Sequence, residues 1–125
     1  MVVSRFLLGH AGNVSVEELQ DKYGLLLTED ESFQVGYKVI RDTFIFTDRR
    51  LILIDVQGMT GKKQEYLSIP YGKITRYSVE TAGHFDLDAE LKLWIGSEST
   101  PLEKRFTKKV DIYELQRVLA RFVLE

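Results

Sequence analysis

Residues 102–123 read LEKRFTKKVDIYELQRVLARFV, and this stretch indicates the fold most strongly. Apolar and charged residues alternate from Leu102 to Phe106, which is the period of a half-buried strand. Asp111 then occupies the N-cap position of a helix, and Glu114 completes an acidic version of the capping box. The sequence therefore predicts a strand that leads directly into a C-terminal helix.

The predicted C-terminal helix, residues 111–124, is amphipathic. Its apolar side chains recur at intervals of three and four residues, whereas Arg117 and Arg121 lie on the opposite side. Such a helix must cover an apolar surface. Its apolar arc consists of Ile112, Leu115, Val118, Leu119, Phe122 and Val123.

Upstream of this helix, the chain shows six further runs of the kind that predict strands. The third run is apolar on both faces except at Asp55, which predicts that it is covered from both sides. The sixth run alternates most clearly and places Trp94 on its polar face, with Asp86, Asp88, Glu90 and Lys92. The seven strands are predicted at 33–39, 43–47, 51–56, 62–69, 74–81, 86–95 and 102–106, within a β region of residues 32–107.

An N-terminal helical extension, residues 1–31, precedes the strands. Ser15 and Glu18 form a capping box, because each side chain can bond the other residue's amide. Gly24 is predicted to end the helix by adopting the left-handed conformation. A short helix is therefore expected over Val16–Tyr23.

The composition indicates one globular domain over residues 1–125. The 17 basic and 19 acidic residues give a net charge of −2, which argues against a nucleic-acid partner. The chain has no cysteine, which excludes disulfides and thiolate metal sites and favours a cytoplasmic location. The apolar N-terminus is too short for a signal peptide or a membrane-spanning helix.

The sequence shows no motif for catalysis or for a cofactor, so the protein is not expected to be an enzyme. One cluster could hold a metal ion: His84, followed by Asp86, Asp88 and Glu90. Three carboxylates at every second position of a strand spread over about 13 Å, however, which is too far for one ion. A solvated polar face is the preferred interpretation, and no metal site is predicted.

Four strands, then three, then a capping helix is the order of a pleckstrin-homology (PH) domain. Residues 46–55, FTDRRLILID, followed by Ser68-Ile69-Pro70-Tyr71 and Ile74, resemble small bacterial proteins built from one PH-like domain. The resemblance covers residues 15–125. It implies a mainly β fold, a seven-stranded antiparallel half-open barrel or sandwich, and frequent self-assembly into rings or other homo-oligomers.

Specific phosphoinositide binding is not expected. Eukaryotic relatives carry spaced basic residues in a long first hairpin loop, whereas here that loop is only Arg41-Asp42, flanked by Lys38. Two basic pairs, Lys104-Arg105 and Lys108-Lys109, form a candidate weak anion patch. The alternative for these pairs is a solvated edge that discourages sheet-to-sheet aggregation.

Trp94 is the candidate contact residue for a partner or a second copy, because large aromatic side chains are enriched where proteins meet. Phe6, Leu7 and Leu8 could share that interface, or could cover Trp94 within the same subunit. Two functions follow as hypotheses. One is a non-catalytic, self-assembling module that binds protein or peptide; the alternative is a domain that binds a membrane surface or anionic lipid headgroups.

Overall fold

The computed structural model describes residues 13–39, 42–81, 89–107 and 109–124. Within these ranges the chain forms two antiparallel sheets. Sheet A has the order β1-β2-β3-β4-β5, and sheet B has the order β6-β7-β8. The elements are β1 (Asn13–Val14), α1 (Val16–Tyr23), β2 (Phe33–Val39), β3 (Asp42–Thr47), β4 (Arg50–Gln57), β5 (Lys63–Pro70), β6 (Ile74–Thr81), β7 (Ala89–Ile95), β8 (Leu102–Phe106) and α2 (Ile112–Val123), with 3₁₀ turns at Gly24–Leu26 and Tyr71–Lys73.

The predicted mainly β architecture with a C-terminal helix is confirmed, with one correction to the strand count. The described residues contain eight strands rather than seven, because Asn13 and Val14 pair with Tyr37 and Gly36 of β2. Two residues are too few to show a two-residue period, so the sequence pattern could not reveal this strand.

The helix α1 begins and ends as predicted, but the role given to Gly24 is wrong. The Ser15 hydroxyl accepts a hydrogen bond from the Glu18 amide at 3.1 Å, as the capping box requires. Gly24 has a φ of −57°, in the right-handed region, and its amide donates to the carbonyl of Gln20. The chain therefore continues into a 3₁₀ turn instead of reversing at a left-handed glycine.

The strand β4 is covered on both faces, as its apolar run predicted. Leu51 and Leu53 belong to the core between the two sheets, which we call the sandwich core. Ile52 and Ile54 point to the other side of sheet A and pack with Leu19 of α1 in a second cluster. Successive side chains of one strand thus serve two separate cores, as the alternation of a strand requires.

The helix α2 closes the sandwich core with its predicted apolar arc. Leu115, Val118 and Leu119 are fully buried. Phe122 is only partly buried, and its ring stacks on Tyr71 with centroids 5.0 Å apart. The helix begins at Asp111, whose carboxylate accepts from the amides of Tyr113 and Glu114.

Glu114 also joins three elements at a buried point. The side chain is 1% exposed, and its Oε1 accepts a hydrogen bond from the Tyr37 hydroxyl at 2.7 Å. The same oxygen accepts from the side-chain amide of Asn13 at 3.1 Å. Burial and the Glu114 carboxylate raise the pKa of Tyr37, so this hydroxyl stays protonated and donates. The contact fastens β1 and β2 to α2.

A buried ion pair fixes the loop between α1 and β2 to sheet A. The Arg50 guanidinium donates to both oxygens of Glu31, at 2.8 and 2.9 Å, and Glu31 is 7% exposed. The Thr47 hydroxyl donates to Glu31 at 2.7 Å, and Arg50 also donates to the carbonyl of Leu26. Burial opposes ionisation of Glu31, but hydrogen bonds from Arg50, Thr47 and the amide of Thr28 outweigh it and lower its pKa to about 2.

Candidate functional site

The outer face of sheet B is the surface on which the sequence placed its candidate contact residue. Its side chains alternate with the buried Ala89, Leu91 and Leu93, which face the sandwich core. We call this surface the open sheet face, because its described side chains are exposed or only partly buried. It consists of Arg76, Ser78, Glu80, Glu90, Lys92, Trp94, Glu103 and Arg105.

Trp94 lies on the open sheet face, opposite Arg76 in the register of β6 and β7. The Arg76 guanidinium carbon is 4.3 Å from the centroid of the indole ring. At this distance the cation is attracted to the face of the ring, which restrains the indole. The side chain is nevertheless only partly buried. The result is a partly buried indole ring that Arg76 restrains.

Phe6, Leu7 and Leu8 lie outside the described residues, so their contact with Trp94 stays a prediction; the register of β1 shows only the direction in which the described chain begins. Asn13 pairs with Tyr37 and Val14 with Gly36, so the chain enters β1 from the end of sheet A that holds the β2–β3 turn. The Lys104 side chain reaches that same end at Asp42, and Lys104 pairs with Leu91. Trp94 therefore lies towards the opposite end of the sandwich.

The two residues of the first basic pair, Lys104 and Arg105, lie on opposite faces of β8. Lys104 points into a cleft of about 280 Å³, where its Nζ lies 3.2 Å from Asp42 and 3.8 Å from Asp55. Its charge is thus offset by two carboxylates. Arg105 and Lys109 are exposed, and Lys108 lies outside the described residues. An anion patch that includes Arg105 and Lys109 stays a prediction. Lys104 is paired with Asp42 and Asp55, so it would not supply a free positive charge to that patch.

A second concave surface, which sequence reasoning missed, runs along β5. This groove of about 460 Å³ has mostly apolar walls, with one cation, Lys73, and one anion, Glu98. We call it the β5 groove. Its apolar walls come from β5, the end of β7 and the start of β8: Leu67, Ile69, Pro70, Ile95, Pro101 and Leu102. The sequence signal was present in the inward alternation of Leu67 and Ile69, but only the fold shows that the groove is open.

The predicted absence of a metal site is not tested at His84, Asp86 and Asp88, which lie outside the described residues. Within the described ranges, no group of three His, Cys, Asp or Glu side chains could hold a metal ion. Glu90, the fourth member of that sequence cluster, is in register with Arg105 of β8. The helices that the structure describes include none long and apolar enough to span a membrane.

Comparison with known proteins identifies the family. The family model described as "Bacterial PH domain" matches residues 3–123. The chain belongs to the bacterial PH domain family. Uncharacterized protein YjqA of Bacillus subtilis (strain 168) is 51% identical over 115 residues, which are 91% of this chain and 92% of that relative.

Two solved structures share the fold of this bacterial PH domain. The crystal structure of a pleckstrin homology domain from Shewanella amazonensis SB2B has a TM-score of 0.79 and 47% identity, and covers 89% of this chain and 100% of its own. A DUF1696 family protein with a pleckstrin-homology domain from Shewanella loihica PV-4 has a TM-score of 0.80 and 49% identity. The match covers 92% of this chain and 98% of that protein's chain. The resemblance seen in the sequence is confirmed.

The β2–β3 turn is the position of the loop that binds phosphoinositides in the eukaryotic relatives. In this bacterial PH domain it comprises residues 40 and 41, between Val39 and Asp42. Asp42 faces Lys104 and also accepts a hydrogen bond from the amide of Val56 at 2.9 Å. Lys104 is thus occupied by a carboxylate, and Asp42 adds no cation that could hold a phosphate, so weak inositide binding remains the prediction.

Proposed function

We propose that this bacterial PH domain is a non-catalytic interaction module that acts in the cytoplasm, assembles with copies of itself and binds protein or peptide partners. The open sheet face carries the proposal. Its described side chains are exposed or only partly buried, and the Arg76 guanidinium restrains the indole ring of Trp94 on it. Aromatic and arginine side chains are enriched at the centres of protein interfaces.

The charges of the open sheet face suit a self-complementary contact. Lys92 lies beside Glu103 and Glu90 lies beside Arg105 in the register of β7 and β8, so charges of both signs alternate across the surface. A two-fold or cyclic contact can pair such charges without a net excess of either sign. Ring formation in particular is a proposal that the mass of the particle in solution can test.

Trp94→Ala is expected to lower the mass of the assembly measured by light scattering, because it removes the main apolar surface of the open sheet face. The circular dichroism of the strands should stay unchanged, since Trp94 points away from the sandwich core. Tyr113→Ala is the matched control: Tyr113 is 71% exposed on α2, and its loss should leave the mass unchanged. An assembled Trp94→Ala variant, or a monomeric wild type, would show that Trp94 is not the contact.

A second candidate function is binding to an anionic membrane surface, and the β4–β5 turn favours it. Gly58 and Gly61 have φ of 77° and 72°, and between them Met59 is 100% exposed. Lys62 and Lys63 follow at once, and each lysine near an anionic bilayer contributes about 1 kcal/mol of binding. The turn thus presents an apolar tip beside two cations.

Co-sedimentation with vesicles separates the two functions. If the turn binds membranes, the protein should pellet with phosphatidylserine vesicles, and Lys62→Glu together with Lys63→Glu should abolish pelleting. Leu25→Ser is the control for an exposed apolar residue elsewhere, since Leu25 is 104% exposed on the 3₁₀ turn after α1. If the same fraction of the protein pelleted with neutral phosphatidylcholine vesicles as with phosphatidylserine vesicles, binding to an anionic membrane surface would be contradicted.

A further inference from the structure

We propose that the β5 groove binds residues 2–8 of a second copy of this chain, which add to β5 as an extended strand. The proposal rests on the self-assembly proposed above and names a second contact of that assembly. It differs from the contact at Trp94, because the groove and the open sheet face are different surfaces.

The strand β5 offers an edge for such an addition. Within the described residues, β4 is its one hydrogen-bonded neighbour, so the other side of β5 is the outer edge of sheet A. An extended chain can bond to an exposed edge through its backbone, while alternate side chains enter a neighbouring pocket. Leu67 and Ile69 face inward from β5 and form one wall of the groove. The occupant that fits is a strand with apolar side chains.

Residues 2–8 have the chemistry of that occupant. The segment reads VVSRFLL, which is rich in β-branched and large apolar residues. As a strand, it would place Phe6 and Leu8 on one side, where they can enter the groove together. The family model also includes most of this segment, since its match begins at residue 3.

The groove of the same copy lies across sheet A from the strand β1. Asn13, Tyr37, Phe44, Leu53 and Leu67 form one row across sheet A. Four strand spacings separate the ends of this row, which is about 19 Å. The five residues from position 8 to Asn13 span at most about 18 Å when fully extended. The chain also enters β1 from the β2–β3 turn end, whereas the groove lies at the other end of β5. A segment of the same copy would have to turn back across the sheet to enter the groove, so a second copy is the better source of the occupant.

Because the chain has no cysteine, engineered disulfides can test this contact in the full-length protein. We would prepare Leu8→Cys and Glu98→Cys separately, one of them carrying a tag that changes its mass, then mix and oxidise them. The expected product on a denaturing gel is a disulfide-linked heterodimer. Its yield should be about tenfold or more above that of Leu8→Cys mixed with Asp21→Cys, because docking raises the effective concentration. Asp21 is exposed on α1, away from the groove.

A second pair, Phe6→Cys with Thr100→Cys, guards against a failure of one variant to fold or assemble. Equal heterodimer yields from the groove pair and the control pair would overturn the proposal. A chain that carries both Leu8→Cys and Glu98→Cys gives a second test, because an internal disulfide in its monomer would also overturn the proposal. If the wild type assembles and Trp94→Ala lowers its mass, but neither groove pair forms heterodimers, the groove proposal fails and the proposed function stands. If the wild type is monomeric at all concentrations, both fail.

Discussion

Glu31→Gln is expected to lower the free energy of unfolding by about 3 kcal/mol at pH 7, because it leaves the Arg50 guanidinium without its buried counter-charge. Two independent quantities lead to this loss of unfolding free energy. Removing one partner of a buried ion pair costs roughly 3–5 kcal/mol. The depression of the Glu31 pKa from 4.5 to about 2 corresponds to about 3 kcal/mol of preference for the folded state. Urea denaturation would measure the change.

The neighbouring ion pair supplies the control. Asp30 precedes Glu31 in the sequence, and Arg49 precedes Arg50. Their charged groups are 2.6 Å apart, but the side chains of Asp30 and Arg49 are 73% and 54% exposed. Asp30→Asn should therefore cost less than about 1 kcal/mol, as exposed pairs usually do. If the two variants lose the same stability, burial is not the reason that Glu31 matters.

The same pair contributes to the acid stability of the protein. Since the folded pKa of Glu31 lies below its ordinary value, its contribution is fully present above pH 4.5 and is lost as the pH falls towards 2. Between those values wild type should lose stability faster than Glu31→Gln, so the difference between them should shrink. A gap that stays constant down to pH 2 would contradict the assigned pKa.

Phe106→Ala is expected to cost roughly 3–5 kcal/mol, the range found when a fully buried aromatic ring is removed. Phe106 is 0% exposed, and its ring makes an edge contact with Phe44 at 5.1 Å and with Tyr37 at 6.4 Å. It stands on β8 where sheet B meets β2, so the cavity would open at the junction of the two sheets. Chemical denaturation would give the value.

Phe122→Ala is the comparison variant for this prediction. Its ring stacks on Tyr71 but is only partly buried, so its loss should cost about 2 kcal/mol, less than that of a fully buried ring. If both variants lose the same free energy of unfolding, the two rings contribute equally to the stability of the sandwich core. No loss at Phe122 would show that α2 does not pack through its last turn.

The sequence predicted the regular elements well, because their signals are local. The capping residues Ser15 and Asp111 located both helix starts, and alternation located the strands to within a residue or two at most ends. The prediction of a left-handed conformation for Gly24 was wrong, because a glycine permits this conformation without requiring it. Glu31 looked like part of an acidic loop, since its partner Arg50 lies 19 residues away and only the fold brings them together.

The candidate site was only partly predictable. Trp94 could be placed on the outer face by its two-residue period, but its contact with Arg76 depends on the pairing of β6 and β7. Lys104 and Arg105 looked like one basic patch, although adjacent residues of a strand point to opposite faces. The β5 groove depends on the distance between strand β5 and the β7–β8 connection, which no local pattern encodes.

The division of β4 between two cores has a consequence for partial opening of the molecule. The cluster beneath α1 and the sandwich core share the backbone of β4 but no side chain. Detachment of α1 would uncover Ile52 and Ile54 while Leu51 and Leu53 stayed enclosed. The side chains that α1 covers are therefore those of the outer cluster and not those of the sandwich core. The two helices thus cover different faces of the molecule: α1 covers the outer side of sheet A, and α2 covers the sandwich core.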